Sequence, residues 1–438
     1  MFQNFLSFFH KKAFDDNAKN VKAYDYHFMI KYALVLNGIF FNNRSSFLRY
    51  IPPIFWVSYS FTGVIIMSLQ IYHCYMINDI TEFSESLSYV LVLNILIIQE
   101  VLMIIHSRTI DTIVDFLEAD FAEVDKLSKK HREKFYANQK SIWKLTVIWY
   151  IIMFVTVMSF WLKTFFELLY QSLFAEKYEG QVRPLMFKLW LPYDDVSRSP
   201  IYETFFVLQY GIVTTVAIIL CPYIGILMQF FGHAMGQLDL IILDFDGIFN
   251  FQELEKIQCE ITSAMKHSEI RKRIGNIVNR HNKVYKFCDL VTSIFGPALI
   301  YQILMTPVEL CITGFQIVES LENGTLPVLF TIIFFSALLQ VLVPCAIGSK
   351  LSEKGYEARK ACYACEWERY QDNVVVKKDI QIFLMRADRE LSINALGVFS
   401  VSMETFSSIL KTSGSYFTML RQLNEDSSNV KKGRIVID

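Results

Sequence analysis

Charge is what this sequence has least of. Only 19% of its 438 residues are Asp, Glu, Lys or Arg, and the net formal charge is −1. A balance so close to zero supplies no basic footprint, so no nucleic-acid partner is expected. Proline and glycine are sparse, at 10 and 17 residues, which excludes low-complexity linkers and collagen-like repeats. No P-loop, Gly-rich dinucleotide loop, HExxH or GxSxG occurs. Without an activated nucleophile or a metal set, neither enzyme activity nor a cofactor is expected. None of the eight cysteines falls in 166–204, so no disulfide framework is implied there. Cys362 and Cys365 form a lone CxxC with no second ligand pair, which reads as two reduced thiols. No internal repeat of the kind that marks a secondary transporter is visible.

What is abundant is apolar: 53% of residues, with 15% aromatic. Uncharged runs occupy 51–77, 145–162, 204–238, 290–308 and 325–349, each 18 residues or longer. That is the length of helix needed to cross about 30 Å of hydrocarbon. Two weaker runs, 86–106 and 391–410, carry Glu100 and Glu404. The expected fold is therefore all-α: a polytopic membrane protein with seven transmembrane helices. Alternate connecting segments hold 31 Lys and Arg on one side and 8 on the other. By the positive-inside bias this predicts a cytoplasmic N-terminus and an extracellular C-terminus.

The expected organisation follows. Residues 1–50 form a cytoplasmic segment, in which Phe2, Phe5, Leu6 and Phe9 suit the inner membrane surface and no cleavable signal peptide is recognised. Spans 1 to 6 fill 51–348, with 166–204 as an extracellular loop. Stretches 111–145 and 255–291 lack proline, and their apolar residues recur every three or four, so they read as helices continuing into the cytosol, where 231–289 and 349–392 are expected to form an anchor bundle. Span 7 is expected within 393–422, and 423–438 as an extracellular tail.

The outer halves of several spans are aromatic on one face. Span 2 begins with Tyr89 and Leu93, and span 3 ends with Phe154, Val157, Met158 and Trp161. Span 4 begins with Phe206, Tyr210 and Val213, and span 6 with Phe330 and Phe334. Converging, these faces would enclose an apolar cavity suited to a small molecule. The same residues suit packing or lipid contact. No charged residue sits on these faces, so a neutral ligand is expected. In span 7, Glu404, Ser408, Thr412, Ser415, Met419 and Gln422 form one helical stripe whose polarity belongs against protein or water. Gathered round an axis, it would line a hydrated path narrowed at Met419; the alternative is a dry small-residue interface. Glu100, Glu309 and Glu404 each require a partner or a wet setting.

The tail "FSVSMETFSSILKTSGSYFTMLRQL" resembles the last-span signature of the insect odorant receptor family, with Tyr416, Phe417 and Gln422 in the matching places. The stretch "LPYDDVSRSPIYETFFVLQ" at 191–209 is similar to that family's second extracellular loop, and "RHNKVYKFCDLV" at 280–291 to its entry into span 5. The resemblance implies a ligand-gated, non-selective cation channel that opens to a small volatile odorant. It implies a heterotetramer with a shared odorant receptor coreceptor, set in the lipid of an olfactory neuron's plasma membrane. By the same resemblance Met419 stands at the apolar gate, Gln422 is a pore-lining residue, and the pocket lies among spans 2 to 6. The short connection between spans 4 and 5 lacks the coreceptor's insertion, so an odour-tuned subunit is implied. Two departures are the sixteen residues after Gln422 and the positive charge of Arg421 beside it. A gustatory receptor of the same superfamily is the nearest alternative. A G-protein-coupled receptor requires the opposite charge bias.

Overall fold

The structure, a computed structural model, describes residues 34, 35, 37, 47–174, 183–192, 196, 198–249, 263–370, 374–395 and 397–435. The expectations for Phe2, Phe5, Leu6 and Phe9 lie outside the described residues.

Helix α1, Ile51–Ile77, opens with a proline in its first turn, where the missing N–H costs nothing. It ends at Asn78 in the left-handed conformation (φ 54°). Asp79 then caps α2, Ile80–Ile105, by accepting from the Glu82 N–H at 3.0 Å, so the two helices form a tight hairpin. An amphipathic α3, Ser107–Val124, precedes the 46-residue α4, Lys129–Phe174.

Helix α5, Ile201–Thr215, continues through a π turn at Val216–Leu220 into α6, Cys221–Asp246. The cause of the widened turn is Pro222, which has no N–H for the Ile218 carbonyl. That carbonyl accepts from Asn37 Nδ2 at 3.3 Å instead. Next come the 60-residue α7, Ser263–Glu322, with Pro297 and Pro307 inside it, and α8, Val328–Tyr363. The chain closes with α9, Val374–Ala387, the antiparallel pair β1, Asn394–Ala395, and β2, Phe399–Ser400, and α10, Met403–Ile435.

Among the described residues six stretches are long and apolar enough to cross a membrane: α1, α2, α4, the α5–α6 rod, α7 and α8. The chain is thus a multi-pass membrane protein. The seventh long helix, α10, is too polar to register by hydropathy. It also begins later than expected, because 391–395 and 397–402 are not helical. There the chain turns at Gly397 (φ 74°) and pairs Asn394 with Ser400. The run "LSINALGVFSVS" is as apolar as a helix, but a glycine in the left-handed region favours a turn.

Helix α6 is the hub. Every residue from Cys221 to Ile241 is buried, against α4, α7 and α8. Trp149 Nε1 donates to the Cys221 carbonyl at 2.9 Å and Asn138 Nδ2 to the Gly232 carbonyl at 2.8 Å, fixing α4 along it. By contrast Ile54, Phe55 and Phe61 of α1 and Ile148 and Ile151 of α4 are exposed, forming the apolar belt that a bilayer would cover.

The ends of α4, α6, α7 and α8 opposite the α1–α2 hairpin join α3 and α9 in a second packed region. Asp244 takes Arg280 and, at 3.0 Å, His131; Asp120 takes the buried His233 at 2.9 Å; Asp239 takes Lys354 at 3.0 Å. Each joins two different helices and so ties this region together. Phe383 of α9 packs on Phe245 and His281, with ring centroids 4.9 and 4.8 Å away. Cys362 and Cys365 are buried here, the second thiol donating to the Cys362 carbonyl at 3.0 Å, and burial pushes the Cys365 thiol up to about 11.

Burial, and then the nearby Arg386 guanidinium, lower the His281 pKa to about 4. Its unfolded value is about 6.5. Between those values the unfolded chain binds the extra proton, so stability is complete above pH 6.5 and falls as pH drops towards 4. At 1.36 kcal/mol per unit the loss is at most about 3 kcal/mol. Thermal unfolding of purified protein should show wild type losing more between pH 7 and pH 4 than His281→Phe. A parallel fall in both would assign the effect to other groups.

Candidate functional site

Between α1, α2, α4, α5, α7 and α8 lies an internal cavity of about 90 Å³. Its wall is apolar: Met67 from α1, Leu93 from α2, Met153 and Phe160 from α4, and Ile212 and Leu220 from the α5 rod. The polar minority is Ser88, Thr156, Glu309, Ser336 and Gln340. Thr156 and Ser336 satisfy each other across α4 and α8, with hydroxyls 2.9 Å apart.

The roof is a loop residue, Phe187. Gln209 clamps its backbone, accepting from the Phe187 N–H at 3.2 Å and donating Nε2 to its carbonyl at 3.0 Å. The Tyr89 ring lies 4.6 Å from that of Phe187, and the Tyr89 hydroxyl donates to Glu85 at 3.0 Å. Next to it Lys188 pairs with Glu82, and Trp190 stacks on His73 at 4.6 Å. The loop is thereby pinned to α1, α2 and α5.

Of the expected ligand residues, Tyr89, Leu93, Val157 and Val213 line this cavity. Phe154 does not: it is 64% exposed on the outer side of α4. Trp161, Phe206 and Tyr210 form a separate stack beside the cavity, with centroids 6.0 Å and 4.7 Å from Tyr210. Tyr210 donates its hydroxyl to the Trp161 carbonyl at 3.3 Å. Met158 is half-buried and off the wall. Phe330 borders two hollows at the outer surface, and Phe334 lies on the side of α8 turned to Gly314 and Phe417. The expectation of a wall without charged residues is corrected by Glu309, which arrives from α7. Phe187 was missed because a loop carries no periodicity; Met153, Thr156 and Phe160 were missed because α4 is apolar all round its span.

Helix α10 rests on α7 and α8, with Ile409 buried and Phe417 against Gly314. Ser408, Ser415, Met419 and Gln422 are exposed and Thr412 is half-buried, so this chain leaves the stripe largely uncovered. Several hydroxyls bond back within the helix, Thr412 to the Ser408 carbonyl at 2.9 Å and Ser415 to that of Lys411 at 3.2 Å. Such bonds supply the hydroxyl hydrogen with an acceptor while leaving oxygen lone pairs free. Arg421 faces Glu322 at 3.9 Å, an exposed pair that offsets part of its charge.

A membrane-spanning helical bundle around an apolar cavity, with one polar helix on its flank, defines a multi-pass membrane protein. The family model described as 7tm Odorant receptor matches residues 79–414, and the chain belongs to that family. Odorant receptor 13a of Drosophila melanogaster is 27% identical over 274 residues, 59% of this chain and 62% of that one. The odorant receptor coreceptor of the same species is 29% identical over 156 residues, 35% of this chain and 31% of its own length. The chain thus spans under two thirds of either relative. In fold it is similar to the olfactory receptor OR5 from Machilis hrabei, solved in complex with eugenol, with a TM-score of 0.70 at 15% identity, covering 92% of this chain and 99% of that one.

Proposed function

We propose that this chain is the odour-tuned subunit of a ligand-gated, non-selective cation channel. It assembles with the odorant receptor coreceptor as a heterotetramer in the plasma membrane of an olfactory sensory neuron, its N-terminus cytoplasmic and its C-terminus extracellular. A small volatile in the internal cavity opens the channel. One observation carries this reading: α7 and α8, which supply Glu309, Ile333, Ser336 and Gln340 to the cavity, are the helices on which α10 rests. A ligand that respaces them moves the seat of α10, through the Phe417 contact with Gly314. The exposed stripe of Ser408, Thr412, Ser415 and Gln422 then lines the shared path, and Met419, 61% exposed, forms its apolar constriction. The packed region of α3, α9 and the inner helix ends serves as the cytosolic anchor.

The energetics are tight. Micromolar binding is worth about 8 kcal/mol, and moving a gate from about 1% to 99% open takes a differential of roughly 5.5 kcal/mol. Most of the binding energy must therefore distinguish open from closed. Recording from cells expressing this chain with an insect coreceptor, against an odorant panel, tests the reading. Met419→Ala removes the thioether from the constriction, and basal current should rise or activation shift to lower odorant concentration. Unchanged current would move the gate elsewhere.

A further inference from the structure

Glu309 is at odds with its surroundings. Its side chain is only 8% exposed, and what it reaches is the cavity. Among the described residues no hydrogen bond or ion pair engages its carboxyl; the Thr313 hydroxyl at 2.8 Å takes the Glu309 main-chain oxygen instead. Of the neighbouring hydroxyls, those of Thr156 and Ser336 pair with each other and that of Tyr301 takes the Leu91 carbonyl at 3.3 Å. A carboxyl buried without a partner costs free energy that packing does not return. Glu100 is also buried and unpartnered, but it borders no cavity. Glu309 borders one, so a guest can supply what the protein does not.

We infer that Glu309 is the polar recognition group of the cavity, and that the cavity selects small apolar molecules bearing one hydrogen-bond donor, a hydroxyl or an amine. This rests on the cavity being the ligand site proposed above. A donor group on the guest satisfies a carboxylate lone pair. An ether or hydrocarbon of the same size leaves the carboxyl buried and unmatched, and sites built to bond a donor discriminate strongly against analogues lacking it.

The test uses n-hexanol, n-hexylamine, methyl pentyl ether and n-heptane, which have equal numbers of heavy atoms. Two readouts are taken: current from the full chain with coreceptor, and thermal stabilisation of the purified full chain. In wild type the two donors should act at concentrations about tenfold or more below the ether and the alkane. In Glu309→Leu that preference should shrink to within about threefold, with the heptane response retained as evidence of a folded cavity. Glu309→Gln keeps the shape and an acceptor but not the charge, so hexylamine should weaken by about tenfold while hexanol changes by less than about threefold. Equal action of all four probes on wild type, or a donor preference that survives Glu309→Leu, would overturn the inference. So would the absence of both stabilisation and current. Stabilisation by donors without current would uphold the inference and remove the channel reading instead.

Discussion

Gly348→Ala should unfold the seat of α10. A Cβ at position 348 would collide with the Val401 carbonyl oxygen, a backbone atom with no rotamer to escape into. That carbonyl belongs to the segment after β2 that crosses α8 where it has no side chain. The crossing is held by Val401 N–H to the Ile393 carbonyl at 2.9 Å, Met403 N–H to Ser349 Oγ at 2.9 Å and Ser352 Oγ to the Leu391 carbonyl at 3.1 Å. Moving the strand far enough to admit a methyl breaks several of these, and overpacking against rigid backbone costs about 3 kcal/mol or more. Purified protein should show a sharply lowered melting temperature or loss of monodisperse material. Gly275→Ala is the control: a Cβ there meets nothing within 4 Å, and a helical glycine replaced by alanine should stabilise by up to about 1 kcal/mol. Equal tolerance of both changes would mean that α8 and the crossing strand are not in contact.

Filling the cavity should have the second largest effect. Val213 is 4% exposed and sits on the wall, so Val213→Trp places an indole in a space of only about 90 Å³. Ligand-evoked current should fall by about a hundredfold or more, while melting shifts far less than in Gly348→Ala, because the added bulk enters empty volume. Phe154→Ala is the paired control. Its ring faces outward, and its removal should leave ligand sensitivity within about threefold. If Phe154→Ala abolished the response and Val213→Trp did not, the ligand would sit elsewhere.

Those two positions also mark how far periodicity reaches. On α4 the sequence pattern of Phe154, Val157, Met158 and Trp161 has perfect helical spacing, yet the wall is Met153, Thr156, Val157 and Phe160. The two arcs differ by a rotation of one residue. A helix that is apolar all round gives no amphipathic signal to choose between them. Span 1, by contrast, was legible to the residue: the uncharged run 51–77 coincides with α1. Its limits are set by a proline at one end and an Asn-Asp cap at the other, both local signals. Glu309 was visible as a buried carboxyl needing a partner, but not as part of the cavity, because only the packing of α7 against α2 and α8 brings it there. On α10 the helical spacing of Ser408, Thr412, Ser415, Met419 and Gln422 was readable from the sequence, and this chain leaves those positions largely uncovered. Its start was not, since Gly397 is a single residue in an otherwise apolar run.

Helix α7 runs past the cavity at Glu309, the α10 contact at Gly314 and the second packed region at His281 as one continuous helix. Residues 281 and 309 are separated by about 42 Å at 1.5 Å per residue. A rigid rod of that length would turn a one-degree tilt at one end into a shift of about 0.7 Å at the other, enough to disturb the ion pairs there. Pro297 and Pro307 lie between the two points, and each deletes one rung of the ladder. Flexure concentrates at those missing rungs, so the outer half can rock while the inner foundation stays still. Such a helix works as a jointed mast: tilt at the cavity end is taken up at the two prolines before it reaches the ion pairs of Asp239 and Asp244.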